Sequence, residues 1–152
     1  MRLLLVSHSP SPNVQSLTAA VIEGASDPGL GELEVQVREA LKAGPDDVLQ
    51  ADGLILGTTE NFGYMSGALK DFFDRIYYPC LEHTVAMPYS LYVRAGNDGL
   101  GAKTSIERIV AGLSWKQVQE PLICRGEWNE DFPLQCREFG MTMAAGLAAG
   151  IF

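Results

Sequence analysis

Residues 54–75 constrain the fold more than any other part of this chain. They begin with a short, continuously apolar run, as expected for a strand that is covered on both faces of a sheet. A polar loop at 57–67 follows, and from Met65 to Ile76 apolar residues recur at helical spacing. Buried strand, polar loop and amphipathic helix in this order are typical of α/β proteins, which bind ligands at the carboxyl ends of their strands. We therefore expect this loop to belong to a functional site.

Apolar runs elsewhere in the chain predict four more strands, with helices between them. The five strands are expected at 2–6, 33–37, 53–56, 89–93 and 118–124. The helices are expected at 17–25, from about Met65 to Tyr78, at 102–113, and from about Glu130 or Pro133 to Ala149. This alternation predicts one α/β domain, residues 1–152, with a doubly wound parallel sheet and helices on both faces. The alternating pattern at 33–37 and Pro121 in the fifth strand place those two strands at edges.

Composition narrows the class of partner. The 152 residues are 47% hydrophobic and carry a net charge of −8, which argues against binding nucleic acid or an anionic membrane. We expect a cytoplasmic protein. Its three cysteines show neither zinc-ligand nor disulfide-framework spacing, so we expect buried or half-buried thiols and no metal site. The apolar tail at 139–152 is too short to span a bilayer and is a candidate contact between subunits of a homo-oligomer.

Three polar loops follow the first, third and fourth predicted strands, and all should leave the same edge of the sheet. The loop at 7–16 runs from a strand into a helix, whose N-terminus is a ready site for an anion. Its serines and Asn13 are neutral donors, and it contains no Lys or Arg. The second loop combines polar groups with Phe62 and Tyr64, which could stack on an aromatic ring. The third, at 94–101, is rich in glycine, so its backbone amides can approach a ligand closely.

The second loop and the helix after it carry a family resemblance. Residues 58–75 resemble the motif of flavodoxin-like NAD(P)H-dependent FMN reductases and small flavodoxin family proteins, approximately G-T-P-x-Y-F-G-x-M-S-x-x-L-K-x-F-x-D-R. The first loop resembles the flavodoxin phosphate loop, and the third resembles the A-G-x-D-G segment beside the isoalloxazine ring. The resemblance implies a flavodoxin-like, five-stranded sheet of order 2-1-3-4-5. It also implies FMN as cofactor and NAD(P)H as electron donor.

The same resemblance assigns roles to residues of the three loops. The residues expected around the phosphate are Ser9, Ser11, Asn13, Val14, Gln15 and Ser16. Those expected to line the ring are Thr58, Thr59, Glu60, Asn61, Phe62 and Gly63. Those expected to close its far side are Ala95, Gly96, Asn97 and Asp98. The flavin would carry the redox chemistry, so no catalytic residue is assigned. We expect the negative charge of Glu60 to lower the reduction potential of the flavin.

Four residues depart from the family pattern. Pro10 and Pro12 stand where flavodoxins commonly have glycines, and proline has no N–H to offer a phosphate. Val14 replaces a usual threonine, and Thr59 replaces a common proline. Three functions therefore remain open. The chain is an NAD(P)H-dependent FMN oxidoreductase acting on a quinone or similar small acceptor, a flavodoxin-type electron carrier that serves a protein acceptor, or a flavin-free binding protein.

Overall fold

A computed structural model describes residues 1–152 of the chain as a parallel sheet between two layers of helices. The strands are β1 (Arg2–Ser7), β2 (Glu34–Glu39), β3 (Gly53–Asn61), β4 (Tyr64–Met65), β5 (Pro88–Ala95), β6 (Lys116–Gln117) and β7 (Leu122–Arg125). The helices are α1 (Pro12–Ala25), α2 (Pro45–Leu49), α3 (Gly67–Cys80), α4 (Leu100–Gly112) and α5 (Asp131–Ala148), with a 3₁₀ turn at Pro28–Leu30. None of these helices is both long enough and apolar enough to cross a membrane.

The strand order confirms the flavodoxin-like sheet. The order is β2-β1-β3-β5, and β6 and β7 pair in succession along the free edge of β5. All of these pairs are parallel, and only the short β4 runs antiparallel, beside β3. Because β6 and β7 together occupy the place of one edge strand, the order is the predicted 2-1-3-4-5.

The fifth predicted strand, at 118–124, is wrong in its bounds. The structure divides it into β6, which ends at Gln117, and β7, which begins at Leu122. Pro121 lies in the gap, where it cannot donate a hydrogen bond to the ladder. With this division and the additional short β4, the sheet has seven strand segments rather than five, and the interrupted edge is where the proline indicated it.

Alternate residues of the central strands serve the two faces of the sheet. Leu4 and Val6 of β1 pack toward α3 and α4, in the larger of two buried clusters. Leu3 and Leu5 pack toward α1 and α5, in the other. Cys80, Cys124 and Cys136 are buried free thiols, as predicted.

Helices α1 and α3 differ most from their predicted bounds. Helix α1 begins at Pro12, five residues before the predicted Leu17, because Ser11 caps it and proline suits the first helical position. Ser66 caps α3, so the helix begins close to the predicted Met65, and it continues past the predicted Tyr78 to Cys80, with Pro79 inside its last turn. The loop predicted at 57–67 is mostly strand, since β3 continues to Asn61 and turns into β4.

Candidate functional site

The first loop is a short connection, His8 to Ser11, between β1 and the N-terminus of α1. The hydroxyl of Ser11 accepts a hydrogen bond from the Val14 amide at 3.4 Å, which fixes the first turn of the helix. The amides of the first helical turn have no partner within the helix, and the positive end of the helix dipole lies at the same place. The first loop therefore offers an anion-binding end, although Pro12 contributes no N–H to it.

Several side chains predicted to surround a phosphate bond to their own loop. Gln15 Nε2 donates to the Ser9 carbonyl at 3.3 Å, and the Ser16 hydroxyl donates to the Asn13 carbonyl at 2.7 Å. Asn13, Gln15 and Ser16 are all exposed on the first turns of α1, while Val14 points into the interior and is buried. These contacts order the loop, and the side-chain amide of Asn13 remains exposed to solvent.

Ser9 is the outer end of a chain of three hydroxyl groups that leads into the core. Its Oγ lies 2.7 Å from Thr18 Oγ1, and Thr18 Oγ1 lies 2.7 Å from the phenolic oxygen of Tyr92. Thr18 lies on α1, whereas Tyr92 lies in the middle of β5 and is 1% exposed. Burial raises the pKa of Tyr92 far above the ordinary value of a phenol, so the group stays protonated.

Gly57 makes room for the Tyr92 ring. The two residues are register partners on β3 and β5, and a Cβ atom at Gly57 would overlap the ring and its hydroxyl. The Gly57 carbonyl also accepts a hydrogen bond from the His8 amide at 3.1 Å. Gly57 therefore connects the first loop and the buried phenol.

A cavity of about 470 Å³ lies between the first loop and the end of β2. Ser9, Gln15 and Thr18 line one side, and Arg38 and Glu39 contribute to the other. Arg38 Nε lies 3.3 Å from Asp47 Oδ1, in a half-exposed ion pair. The first loop itself contains no Lys or Arg, and Arg38 was not predicted near it because Arg38 comes from the neighbouring strand.

The second predicted loop is a β-hairpin. Its two turn residues, Phe62 and Gly63, both have left-handed backbones, with φ of 53° and 69°. This is the conformation that tight two-residue hairpins require. The Phe62 ring is fully exposed at the tip, so it is not a core residue. Asn61 is exposed too, and its Oδ1 accepts from the Thr59 hydroxyl at 3.1 Å.

Thr58 is buried at the base of the hairpin and its hydroxyl is fully engaged. It donates to the Thr59 carbonyl at 2.8 Å and accepts from the Ser66 amide at 3.0 Å. This pair of bonds connects the end of β3 to the start of α3. Thr58 could meet a ligand only through its backbone.

Glu60 bridges the hairpin and the third loop. Its two carboxylate oxygens accept from the amides of Gly99 and Ala102, at 3.3 and 3.2 Å. These amides belong to the first turn of α4, so a carboxylate from another element caps that helix at the positive end of its dipole. The hairpin and the third loop are thereby held together.

The third loop, Gly96 to Gly99, is open on the side away from the sheet. Gly96, Asn97 and Asp98 are exposed, and a Cβ atom at Gly96 would meet nothing within 4 Å. Asp98 Oδ1 accepts from the Leu100 amide at 3.0 Å, and Ala95 at the end of β5 is buried. The backbone of Gly96 is thus accessible to a planar ligand from solvent.

A fourth loop, after β7, reaches the same edge and was missed. The Gly126 amide donates to the Ala95 carbonyl at 2.9 Å. The guanidinium carbon of Arg94 lies 5.9 Å from the centre of the Trp128 ring and 5.4 Å from that of Phe132. The signal that could have found this loop is topological, because β7 is parallel to β5 and must end at the same edge.

The predicted site residues therefore lie in three segments at one edge of the sheet, and hydrogen bonds join each segment to the next. Of the predicted polar side chains, Asn13 and Asn61 are exposed there, whereas the Thr58 and Glu60 side chains bond within the protein. No three His, Cys, Asp or Glu side chains are grouped closely enough to hold a metal ion.

Comparisons with known proteins agree with this architecture. An archaeal flavodoxin superposes with a TM-score of 0.81 at 16% identity, covering 97% of this chain and 99% of that one, which shows the fold alone. The flavodoxin of Aquifex aeolicus is 33% identical over 75 residues, covering 49% of this chain and 40% of its own length. An NAD(P)H dehydrogenase (quinone) of Acidithiobacillus ferrooxidans is 31% identical over 94 residues, covering 49% and 46%.

The chain thus spans less than half the length of either of these two sequence relatives. The family model described as NADPH-dependent FMN reductase, in contrast, matches residues 30–129, which include the hairpin, α3 and the third loop. This match confirms the resemblance found in the second loop. The chain belongs to the NADPH-dependent FMN reductase family and has a flavodoxin-like fold.

Proposed function

We propose that this chain binds FMN across its three loops and acts as an NAD(P)H-dependent oxidoreductase that passes electrons to a quinone or similar small acceptor. The observation that carries the proposal is the convergence of the three loops at one sheet edge. The His8–Gly57 bond and the Glu60 carboxylate join these loops to one another. This edge lies at the point between β1 and β3 where open α/β sheets change direction and bind ligands.

The groups at this edge fit FMN. A phosphate monoester needs hydrogen-bond donors and a positive field, and the first loop supplies hydroxyls and the N-terminus of α1. A flat ring needs open backbone and an aromatic side chain, which Gly96 and the exposed Phe62 supply. The donors near the phosphate end are neutral, and the cavity beside them is lined by one cation, Arg38, and one carboxylate, Glu39.

FMN, when bound, would supply the hydride and electron transfer chemistry. The residues of this chain would bind and orient it. Ser9, Ser11 and the first amides of α1 would hold the phosphate, and Phe62 would cover the ring. Reduction of a quinone by the flavin also takes up a proton, which water at this open edge would supply, so no side chain is assigned as a catalytic acid or base.

A second candidate is an electron carrier without a substrate of its own. The similarity to the A. aeolicus flavodoxin favours it. The two functions differ in whether NAD(P)H reduces the bound flavin. The third candidate is a flavin-free binding protein, which the two prolines of the first loop favour because they remove two N–H donors.

Titration of the purified protein with FMN, followed by flavin fluorescence and visible absorbance, tests the proposal first. We expect binding with a Kd in the micromolar range or tighter, which corresponds to a binding free energy of about −8 kcal/mol or more negative. Oxidation of NADH or NADPH by the loaded protein would then support the enzyme, and bound flavin that neither nucleotide reduces would support the carrier. Absence of FMN binding at about 100 μM would overturn both.

The proposal extends to location and assembly. Three free thiols accord with a reducing compartment, so we place the protein in the cytoplasm. We also propose a homo-oligomer with contacts at its apolar C-terminal end, where Ile151 is largely exposed. Light scattering on a size-exclusion column tests the assembly, and a monomer at micromolar concentration would contradict it.

A further inference from the structure

The three hydroxyl groups of Ser9, Thr18 and Tyr92 form one continuous hydrogen-bonded chain from the core to the candidate site. Both oxygen–oxygen distances are 2.7 Å, and Tyr92 and Thr18 are buried while Ser9 is only half-buried. Ser9 and Thr18 also line the cavity beside the first loop. The outer end of the chain therefore opens where an anion would bind.

The protons in such a chain have a preferred direction when an anion is present. Three hydroxyl groups share two hydrogen bonds, so one proton is left for a partner outside the chain, which is either the buried Ser7 hydroxyl beside Tyr92 or a ligand beside Ser9. A phenol is a stronger acid than an alcohol and is the better donor of the three. If Tyr92 donates to Thr18 and Thr18 donates to Ser9, the remaining proton belongs to Ser9 and points outward. Each bond polarises the next one, which strengthens the last donor.

We propose that Tyr92 and Thr18 are positioning residues that make Ser9 an oriented, polarised donor to the phosphate of FMN. This inference rests on the proposed function and names how this chain recognises the phosphate. The first loop lacks the N–H groups of Pro10 and Pro12 and has no threonine at Val14. The hydroxyl chain supplies in their place a donor whose orientation is fixed from inside the protein.

The position of Tyr92 supports this role. The ring is held against Gly57, where no side chain would fit, and Gly57 binds the His8 amide at the start of the same loop. The phenolic oxygen is therefore fixed relative to the loop by the central strands of the sheet. The Gln15 side chain holds the Ser9 backbone from the other side.

Comparison of FMN with riboflavin separates this role from a purely structural one, because riboflavin lacks only the phosphate. We would measure Kd for both ligands by flavin fluorescence in the unmodified protein and in Tyr92→Phe, Thr18→Val and the double variant. In each variant we expect the Kd for FMN to rise about fivefold and the Kd for riboflavin to stay within about twofold. The Kd of the double variant for FMN should be no higher than that of Thr18→Val alone, since either change interrupts the same chain of hydrogen bonds.

Two further variants serve as controls. Tyr89→Phe removes another buried phenol of β5, whose hydroxyl bonds to Gln117 at 3.2 Å, and should leave both Kd values unchanged. Thr18→Ser keeps the hydroxyl and should restore FMN binding. Because Tyr92→Phe and Thr18→Val change different elements, either variant alone provides the test should the other fail to fold.

The outcomes distinguish this inference from the function on which it rests. Equal changes in both Kd values, or no change in either, would overturn the hydroxyl chain as a phosphate-positioning device while FMN binding stands. Absence of FMN binding by the unmodified protein would overturn the proposed function, and this inference with it.

Discussion

The first loop and the β3–β4 hairpin stand on the same edge of the sheet, but their side chains are held very differently. In the first loop, Ser9 is bonded inward to Thr18, and Ser11 caps a helix. In the hairpin, Asn61 at the end of β3 and Phe62 in the two-residue turn are exposed to solvent. The difference indicates that the two segments bind different parts of a ligand. The first loop is ordered before a ligand arrives and suits a small group of fixed shape, whereas the exposed hairpin suits a flat surface.

The largest effect is expected from a substitution at Gly57, which supports the first loop. Gly57→Ala would drive a methyl group into the Tyr92 ring, so we expect a loss of about 3 kcal/mol in the free energy of unfolding, together with weaker FMN binding. Urea unfolding measures the first effect and fluorescence titration the second. Gly96→Ala is the matched control, because its Cβ would meet nothing within 4 Å, and it should change stability by less than about 0.5 kcal/mol. Equal stabilities for the two variants would contradict the packing argument.

Two helix caps sharpen the comparison. Ser11→Ala and Ser66→Ala should each lower the free energy of unfolding by about 1 kcal/mol, because each removes the hydroxyl that caps a helix. Ser11 lies in the first loop and Ser66 at the base of the hairpin, so only Ser11→Ala should reduce the preference for FMN over riboflavin. A similar loss of preference in Ser66→Ala would mean that the two regions do not divide the ligand between them.

Glu60 connects the hairpin to α4, and its charge can be removed while its shape is kept. Glu60→Gln should lower stability by about 1 kcal/mol, because an amide replaces the carboxylate at the N-terminus of α4. It should also raise the reduction potential of bound FMN, since one negative charge beside the ring is lost. Spectroelectrochemical titration measures the potential. An unchanged potential would mean that the helix N-terminus already cancels the charge of Glu60.

The smallest expected effect on stability is at the tip of the hairpin. Phe62→Ala removes a fully exposed ring and keeps the left-handed backbone, so the free energy of unfolding should change by less than about 0.5 kcal/mol. The Kd for FMN and that for riboflavin should both rise about threefold, because a stacking surface is lost and the phosphate is untouched. Tyr78→Ala, an exposed ring on α3, is the control and should change neither Kd. A change for FMN alone would contradict the assignment of Phe62 to the ring.

The sheet order could be predicted from the sequence because it depends on patterns within each segment. Apolar runs and helical spacing are local, and the connection rules for parallel strands supply the rest. The start of α1 was predicted five residues too late, at Leu17, although Ser11 followed by Pro12 is a helix start signature. The hairpin was harder to foresee, because Phe62-Gly63 lacks the Asn-Gly or Asp-Gly pair that usually marks such a turn.

The contacts that shape the site could not be read in this way. Thr18 and Tyr92 are 74 residues apart, and each reads on its own as an ordinary core or helix residue. Glu60 was expected to act on a flavin through its charge, and its bonds to Gly99 and Ala102 depend on how α4 docks. Arg38 lines the cavity from the end of β2, the strand beside β1. All three contacts depend on packing between segments that are distant in the sequence.

The two prolines of the first loop have a further consequence, for the thermodynamics of binding. Proline fixes φ, so the segment at 9–12 has fewer conformations to lose when a ligand arrives. The same residues remove two hydrogen-bond donors and with them some favourable enthalpy. We therefore expect calorimetry to show FMN binding that is less exothermic, and opposed by less entropy, than in a Pro10→Gly, Pro12→Gly variant. The affinity of the natural loop would accordingly weaken less on warming than that of the glycine variant.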